Sequence, residues 1–276
     1  EKFRIFSQLS KEHEKLGISS DSDYFFNKAK EILAFVKDYK MKDRLYAHLS
    51  NERISPITYD ESLDLFNNIT DIPTKIKTAH KLIRKLKKIK NIEKAKELIV
   101  LTESLIEKLE ENADKIELIS AMGASYKDID EAKGILYVNK AFDLSEKISS
   151  AYERAIALNE IGAHYFDLKY PEKGFLAFEK SVELSENISE PLKKADSLIM
   201  TGGEMAEKHQ KVEAKAILEK AQSILNTLPD SKEKMKLLTE LSKNLGQSFD
   251  IDSALELANT MNNPYEKGEA LIKIIK

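Results

Sequence analysis

Nine residues, Ala141-Phe142-Asp143-Leu144-Ser145-Glu146-Lys147-Ile148-Ser149, return as Ser181-Val182-Glu183-Leu184-Ser185-Glu186-Asn187-Ile188-Ser189 forty residues later, and in looser form at 221–229 after another forty. A period of that size belongs to stacked supersecondary units, because one unit has nothing inside itself to cover its apolar face. The same mark runs through most of the chain. Ile69, Leu109, Ile148, Ile188, Leu228 and Met261 stand at equivalent places, at intervals of 40, 39, 40, 40 and 33. Fourteen residues after each comes a core position of the next unit: Ile83, Gly123, Gly162, Gly202, Ser242 and Ile275. Val36 and Ser50 extend the frame backwards by a short step of 33. The frame predicts one elongated repeat domain over 1–276, with units at about 1–38, 39–72, 73–112, 113–151, 152–191, 192–231 and 232–263 and a terminal helix at 264–276.

Each unit reads as two helices. In 155–168 the residues Leu158, Ile161, Gly162 and Tyr165 recur at spacings of three and four, one face of an amphipathic helix. Gly174, Phe178, Ser181, Val182 and Ser185 mark its partner, and Lys169-Tyr170-Pro171 makes the turn between them. All six prolines agree: Pro73, Pro191, Pro229 and Pro264 fall between units, Pro56 and Pro171 inside turns, none mid-helix. Capping-box spacing predicts helix starts at Asp230 with Glu233 and at Asp128 with Glu131. Strand signals are nearly absent.

With those residues in view, the chain resembles the tetratricopeptide repeat. Leu158, Ile161, Gly162, Tyr165, Gly174, Phe178 and Ser181 match its pattern of large-large-small-aromatic on the first helix and small-aromatic-small on the second. The next unit gives Leu198, Thr201, Gly202, Met205, Ala214, Leu218 and Ala221; the previous one gives Ile119, Met122, Gly123, Tyr126, Gly134, Val138 and Ala141. The match covers about 70–230 well and the flanks loosely. It departs in length, since the family period is about 34 residues. The resemblance implies an all-α, right-handed α-solenoid of stacked antiparallel helix pairs, and a non-catalytic interaction scaffold that takes a peptide or protein segment in its concave groove.

Composition narrows the partner class. A net charge of −3 gives no general attraction to polyanions, and with no cysteine there is no disulfide framework or thiolate chemistry. No apolar run approaches the roughly 18 residues of a membrane span and no secretory signal is present, which predicts a cytoplasmic protein with no membrane partner.

Charge is the sharpest local feature. Between 75 and 90 stand eight basic residues, Lys75, Lys77, Lys81, Arg84, Lys85, Lys87, Lys88 and Lys90, and no acidic one. The resemblance implies that Lys77, His80, Arg84, Lys87 and Lys88 line the groove in this unit, with Asn159 and Phe166 on the groove side two units on. A cationic groove favours an acidic peptide, a C-terminal carboxylate or a phosphate, and an exposed Phe166 would anchor a ligand. Against this stands a solvated helix face pairing with Glu103, Glu107, Glu110, Glu111, Asp114 and Glu117 nearby.

Other classes fare worse. Between 75 and 100 there are no aromatics for base stacking, so nucleic acid is disfavoured. His13, His48, His80, His164 and His209 form no metal-pair spacing, and no glycine-rich phosphate loop exists, so the sequence predicts no enzyme, no metal and no cofactor. The chain opens on Glu1 rather than Met and ends on an apolar helix whose Leu271, Ile272, Ile274 and Ile275 have no following helix to cover them. That predicts a piece of a longer protein or burial of this end in a partner, with self-association through the C-terminal helix as the alternative function.

Overall fold

A computed structural model describes residues 1–52, 58–110, 112–208, 210–248 and 251–275. Among the described residues there are fifteen helices and no strand, so the protein is all-α. It divides into two compact units, Glu1–Gly134 and Ile135–Lys276. The first holds α1 (Lys2–Lys15), α2 (Ser19–Leu33), α3 (Tyr39–Glu52), α4 (Tyr59–Asn67), α5 (Ile72–Lys88), α6 (Ile92–Glu107), α7 (Ala113–Ser125) and the start of α8 (Glu131–Ser145). The second holds the rest of α8, then α9 (Ala151–Asp167), α10 (Pro171–Glu186), α11 (Pro191–Glu207), α12 (Lys211–Asn226), α13 (Lys232–Ser248), α14 (Ile251–Asn259) and α15 (Pro264–Ile275).

Within the first unit α1 packs on α2, α3 on α4 and α5 on α6; within the second, α9 packs on α10, α11 on α12 and α13 on α14. Odd-numbered helices also pack on one another, α3 on α5 and α5 on α7 in the first unit, and α9, α11, α13 and α15 in succession in the second. Each unit is therefore a helical repeat, a layer of first helices backed by a layer of second helices.

Local chemistry starts and stops these helices. Asp71 caps α5 by accepting from Thr74 N–H at 2.9 Å, Asn112 caps α7 from Lys115 N–H at 2.9 Å and Ser150 caps α9 from Glu153 N–H at 3.3 Å. Pro73, Pro171, Pro191 and Pro264 sit in first turns, where the missing N–H costs nothing; Pro56 lies outside the described residues. Two expected caps are displaced. The side chain that accepts from the first turn of α13 is Ser231, from Lys234 N–H at 3.0 Å, while Asp230 instead pairs with Lys234 and accepts from Asn262. At α8 the cap is Asp130, accepting from Lys133 N–H at 3.0 Å, because Asp128 is spent on the preceding turn with φ 64°. First helices end through left-handed residues, Lys90 at φ 60° and Lys169 at φ 66°, after which Asn91 N–H bonds Leu86 O and Tyr170 N–H bonds Tyr165 O, each at 2.9 Å. That reversal sends the second helix back along the first.

Close approach inside a pair depends on the small repeat residue. A methyl group added at Gly162 would stand 2.5 Å from Phe178 Cε1, and one added at Gly202 would stand 2.9 Å from Leu218. Both partners are fully buried, and a Phe in that state stabilises by about 2–3 kcal/mol. In the next pair the same position is Ser242, whose hydroxyl donates to Ala254 O at 2.7 Å.

The terminal helix is better covered than the sequence suggests. α15 packs on α13 and α14, with Ala270 and Ile274 buried in one cluster with Leu241, Leu245 and Ala254. Leu271 is half-buried against that cluster, Ile272 remains 56% exposed, and the side chain of Ile275 lies outside the described residues. The missing partner is therefore supplied in part by the preceding pair, which α15 meets through its inner edge.

These contacts separate two glycine substitutions. Gly162→Ala gains helix propensity but must displace Phe178, and a net loss of about 1–3 kcal/mol in urea unfolding is expected. Gly268, mid-helix in α15 with no neighbour within 4 Å, has no such conflict, so Gly268→Ala is expected to stabilise by about 0.5–1 kcal/mol.

Candidate functional site

In the first unit, α3 and α5 flank a cavity of about 670 Å³. From α3 it is lined by Arg44, Ala47, His48, Asn51 and Glu52, which share one helix face; from α5 by Thr74, Lys77, Thr78, Lys81, Arg84, Lys85 and Lys88. Among the described residues of the wall seven are basic or imidazole, one is acidic, and Ala47 is the only apolar side chain.

A buried carboxylate holds the two walls together. Asp43 on α3, 3% exposed, accepts from Thr70 Oγ1 at 2.8 Å, Asp71 N–H at 2.8 Å and Thr70 N–H at 3.2 Å. It thereby fixes the segment that caps α5. Burial by itself pushes this carboxyl up, but the Asp71 and Thr70 hydrogen bonds and the Lys75 charge outweigh burial and hold it below the usual range. Lys75 is consumed in the same place, donating to Asn67 O at 3.0 Å and Ile69 O at 3.1 Å.

The basic helix thus divides by role. Lys77 pairs with Glu117 at 3.1 Å while also lining the cavity. Glu52, the one acid of the wall, is engaged with Lys11 at 3.4 Å. Arg44, Lys81, Arg84, Lys85 and Lys88 have no ion pair among the described residues. Lys85 is half-buried, and its ammonium is held below the ordinary value by burial first, with Lys11 and Lys81 adding to the effect and Glu52 and Glu14 opposing it. Concentrated positive charge here is only partly compensated by the fold. Asn51 adds a polar feature: its Nδ2 donates to Ala47 O at 2.7 Å, while its buried Oδ1 accepts no hydrogen bond.

Of the groove residues expected from sequence, Lys77, Arg84 and Lys88 are brought together here. His80 and Lys87 turn instead to α7. His80 is buried, with Nδ1 at 2.8 Å from Ser125 Oγ. That hydroxyl also lies 3.1 Å from Ala121 O, its second acceptor. Lys87 donates to Lys127 O at 2.6 Å and to Ser125 O at 3.3 Å, neutralising the carbonyl end of α7. Asn159 and Phe166 belong to the second unit and line no part of the cavity. Asn159 is 3% exposed, with an Oδ1 that accepts no hydrogen bond. Phe166 is not an exposed anchor: it is half-buried, edge-on to Phe175 at 4.7 Å and stacked on Phe178 at 5.6 Å, over Gly174. Its ring fills the space the glycine leaves.

The α3 wall was missed in sequence although its signal was available. Stepping back 33 residues from Lys77, His80 and Arg84 gives Arg44, Ala47 and Asn51, all three on the wall. The same step from Lys87 and Lys88 falls on Ile54 and Ser55, outside the described residues. Of the acidic residues expected to neutralise the basic helix, Glu117 does so for Lys77, while Glu103 accepts from Tyr126 OH at 2.5 Å; Glu111 lies outside the described residues. Among the described residues no three His, Asp or Glu side chains converge as metal ligands, and no helix is long and apolar enough to cross a membrane. His209 lies outside the described set.

No protein-family model matches the chain. No curated protein matches it either. Among solved structures, it is similar to Ton1535 from Thermococcus onnurineus NA1, at 14% identity and a TM-score of 0.43, over 78% of this chain and 85% of that one. It is similar also to a Rap protein solved in complex with Competence and Sporulation Factor, at 15% identity and a TM-score of 0.43, over 98% of this chain and 76% of that one.

The Asp43 anchor has a pH signature. A carboxyl held below its unfolded value of 3.8 stabilises the fold fully above that pH, and the contribution is lost as pH falls through the lower folded value. Asp43→Ala should cost about 3 kcal/mol at neutral pH, and the gap between its urea midpoint and that of the unchanged protein should narrow once the pH drops below about 4.

Proposed function

We propose that the protein is a non-catalytic interaction scaffold that receives an acidic segment of a partner in the α3–α5 cavity. The observation that carries this reading is the wall itself. Five cations without ion pairs among the described residues face a cavity whose single acid is already engaged. An anionic ligand supplies the missing counter-charge, and charge-assisted hydrogen bonds of this kind are roughly twice as strong as neutral ones. The tetratricopeptide resemblance of 70–230 supports the same use of the first-helix layer, and a cytoplasmic setting accords with the absence of cysteine.

A second reading, self-association through α15, is favoured by one observation. Tyr265 is 78% and Ile272 56% exposed on the helix where Gly268 meets nothing within 4 Å. Light scattering over a concentration series tests it, since a monomer at high concentration removes it.

For the leading reading, Arg84→Glu with Lys88→Glu should weaken an acidic ligand more than tenfold while leaving the fold intact, because both side chains are exposed. Pull-down from source lysate at low and moderate salt, with acidic-peptide titration of both proteins, makes the comparison. Equal affinities would remove the cavity as the recognition site.

A further inference from the structure

Resting on the segment-binding reading, we infer that the acidic groups this cavity is built for are closely spaced phosphoryl groups on the partner segment, rather than carboxylates. Charge density decides between them. Lys81, Arg84, Lys85 and Lys88 all line the cavity from one helix and span about 10 Å of its axis at roughly 1.5 Å per residue. An extended peptide places same-face side chains about 6.6 Å apart, so carboxylates bring about two negative charges to that length. Two phosphomonoesters at the same spacing bring about three to four, which is what four cations require. Arg44 on the α3 wall adds a fifth. The two arginines offer planar forks that match phosphate oxygens bidentately.

The rest of the wall agrees. Protein segments recognised mainly through side-chain shape dock aromatic or aliphatic anchors in apolar pockets, and here the only apolar lining residue among the described ones is Ala47. Selectivity must then come from charge and hydrogen bonding. Among the described residues the wall carries no Phe, Tyr or Trp ring on which a nucleobase could stack, and its one imidazole, His48, is engaged with Ser7 Oγ at 2.8 Å and tilted against Phe3.

The test uses the full chain and fluorescence anisotropy. One labelled peptide carries two phosphoserines two residues apart; its twin carries two glutamates there. Inorganic tripolyphosphate and a six-nucleotide oligothymidylate serve as competitors. The phosphopeptide is expected to bind at least tenfold tighter than its twin, to lose at least tenfold with Arg44→Gln plus Arg84→Gln, and to be unaffected by Lys94→Gln plus Lys96→Gln, an equal charge loss on α6 away from the cavity; circular dichroism confirms that both variants fold. Equal binding of the two peptides with the arginine dependence intact would overturn the phosphoryl inference and leave the segment-binding reading standing. Loss of the arginine dependence, or no binding of either peptide, would overturn both. Tight tripolyphosphate with weak peptides would assign the phosphoryl groups to a small molecule, and tighter oligothymidylate would assign them to nucleic acid; either result overturns the partner-segment assignment.

Discussion

In the second unit α9 and α11 lie close against their own second helices because each gives up a side chain at the contact. At Gly162 and Gly202 the space is occupied instead by Phe178 and Leu218 from the opposite helix, and at Ser242 a hydroxyl small enough to fit bonds the facing backbone. Phe166 reciprocates by covering Gly174, so α9 and α10 interlock from both sides. Interiors packed at crystal-like density leave no slack for an extra methyl group here. The close pairing of α9 with α10 and of α11 with α12 follows from this steric condition.

Once the pairs are formed, the first helices must be set against one another, and this step is polar. Asp43 ties α3 to the start of α5 through three donors on Thr70 and Asp71, and Lys87 with His80 ties α5 to the end of α7. The Asp43 and Lys87 contacts satisfy backbone groups that a helix terminus leaves open, while His80 bonds the Ser125 hydroxyl. The same basic helix therefore carries two populations of cations. Lys75 and Lys87 are committed to carbonyls of neighbouring elements, whereas Lys81, Arg84, Lys85 and Lys88 remain on the cavity wall with little compensation. A run that reads as uniform charge in the sequence is partitioned by which way each side chain leaves the helix.

Much of the architecture is legible in the sequence. The 40-residue interval, the small residue at Gly162 and Gly202, and the prolines at helix starts each encode a local or nearest-neighbour condition, and such conditions survive translation from one repeat to the next. Cap assignment was less secure: Ser231 competes with Asp230, and Asp130 with Asp128, over one or two residues, and the backbone of the preceding turn decides which carboxylate or hydroxyl reaches the first amides. The site was half legible. Lys77, Arg84 and Lys88 came from the basic run, but His80, Lys87 and Phe166 point where only the neighbouring helix determines, and Arg44 and Asn51 lie one repeat back.

By itself, then, the sequence determined an all-α repeat, its helix pairs and the helix on which positive charge accumulates, because periodicity and composition act within a unit or between adjacent units. Tertiary structure alone decided which cations are neutralised and which remain on a cavity wall. Ion pairs and hydrogen bonds depend on distances of a few ångströms between residues tens of positions apart, Lys77 paired with Glu117 and Asp43 accepting from Thr70 among them, and no spacing rule along the chain specifies those.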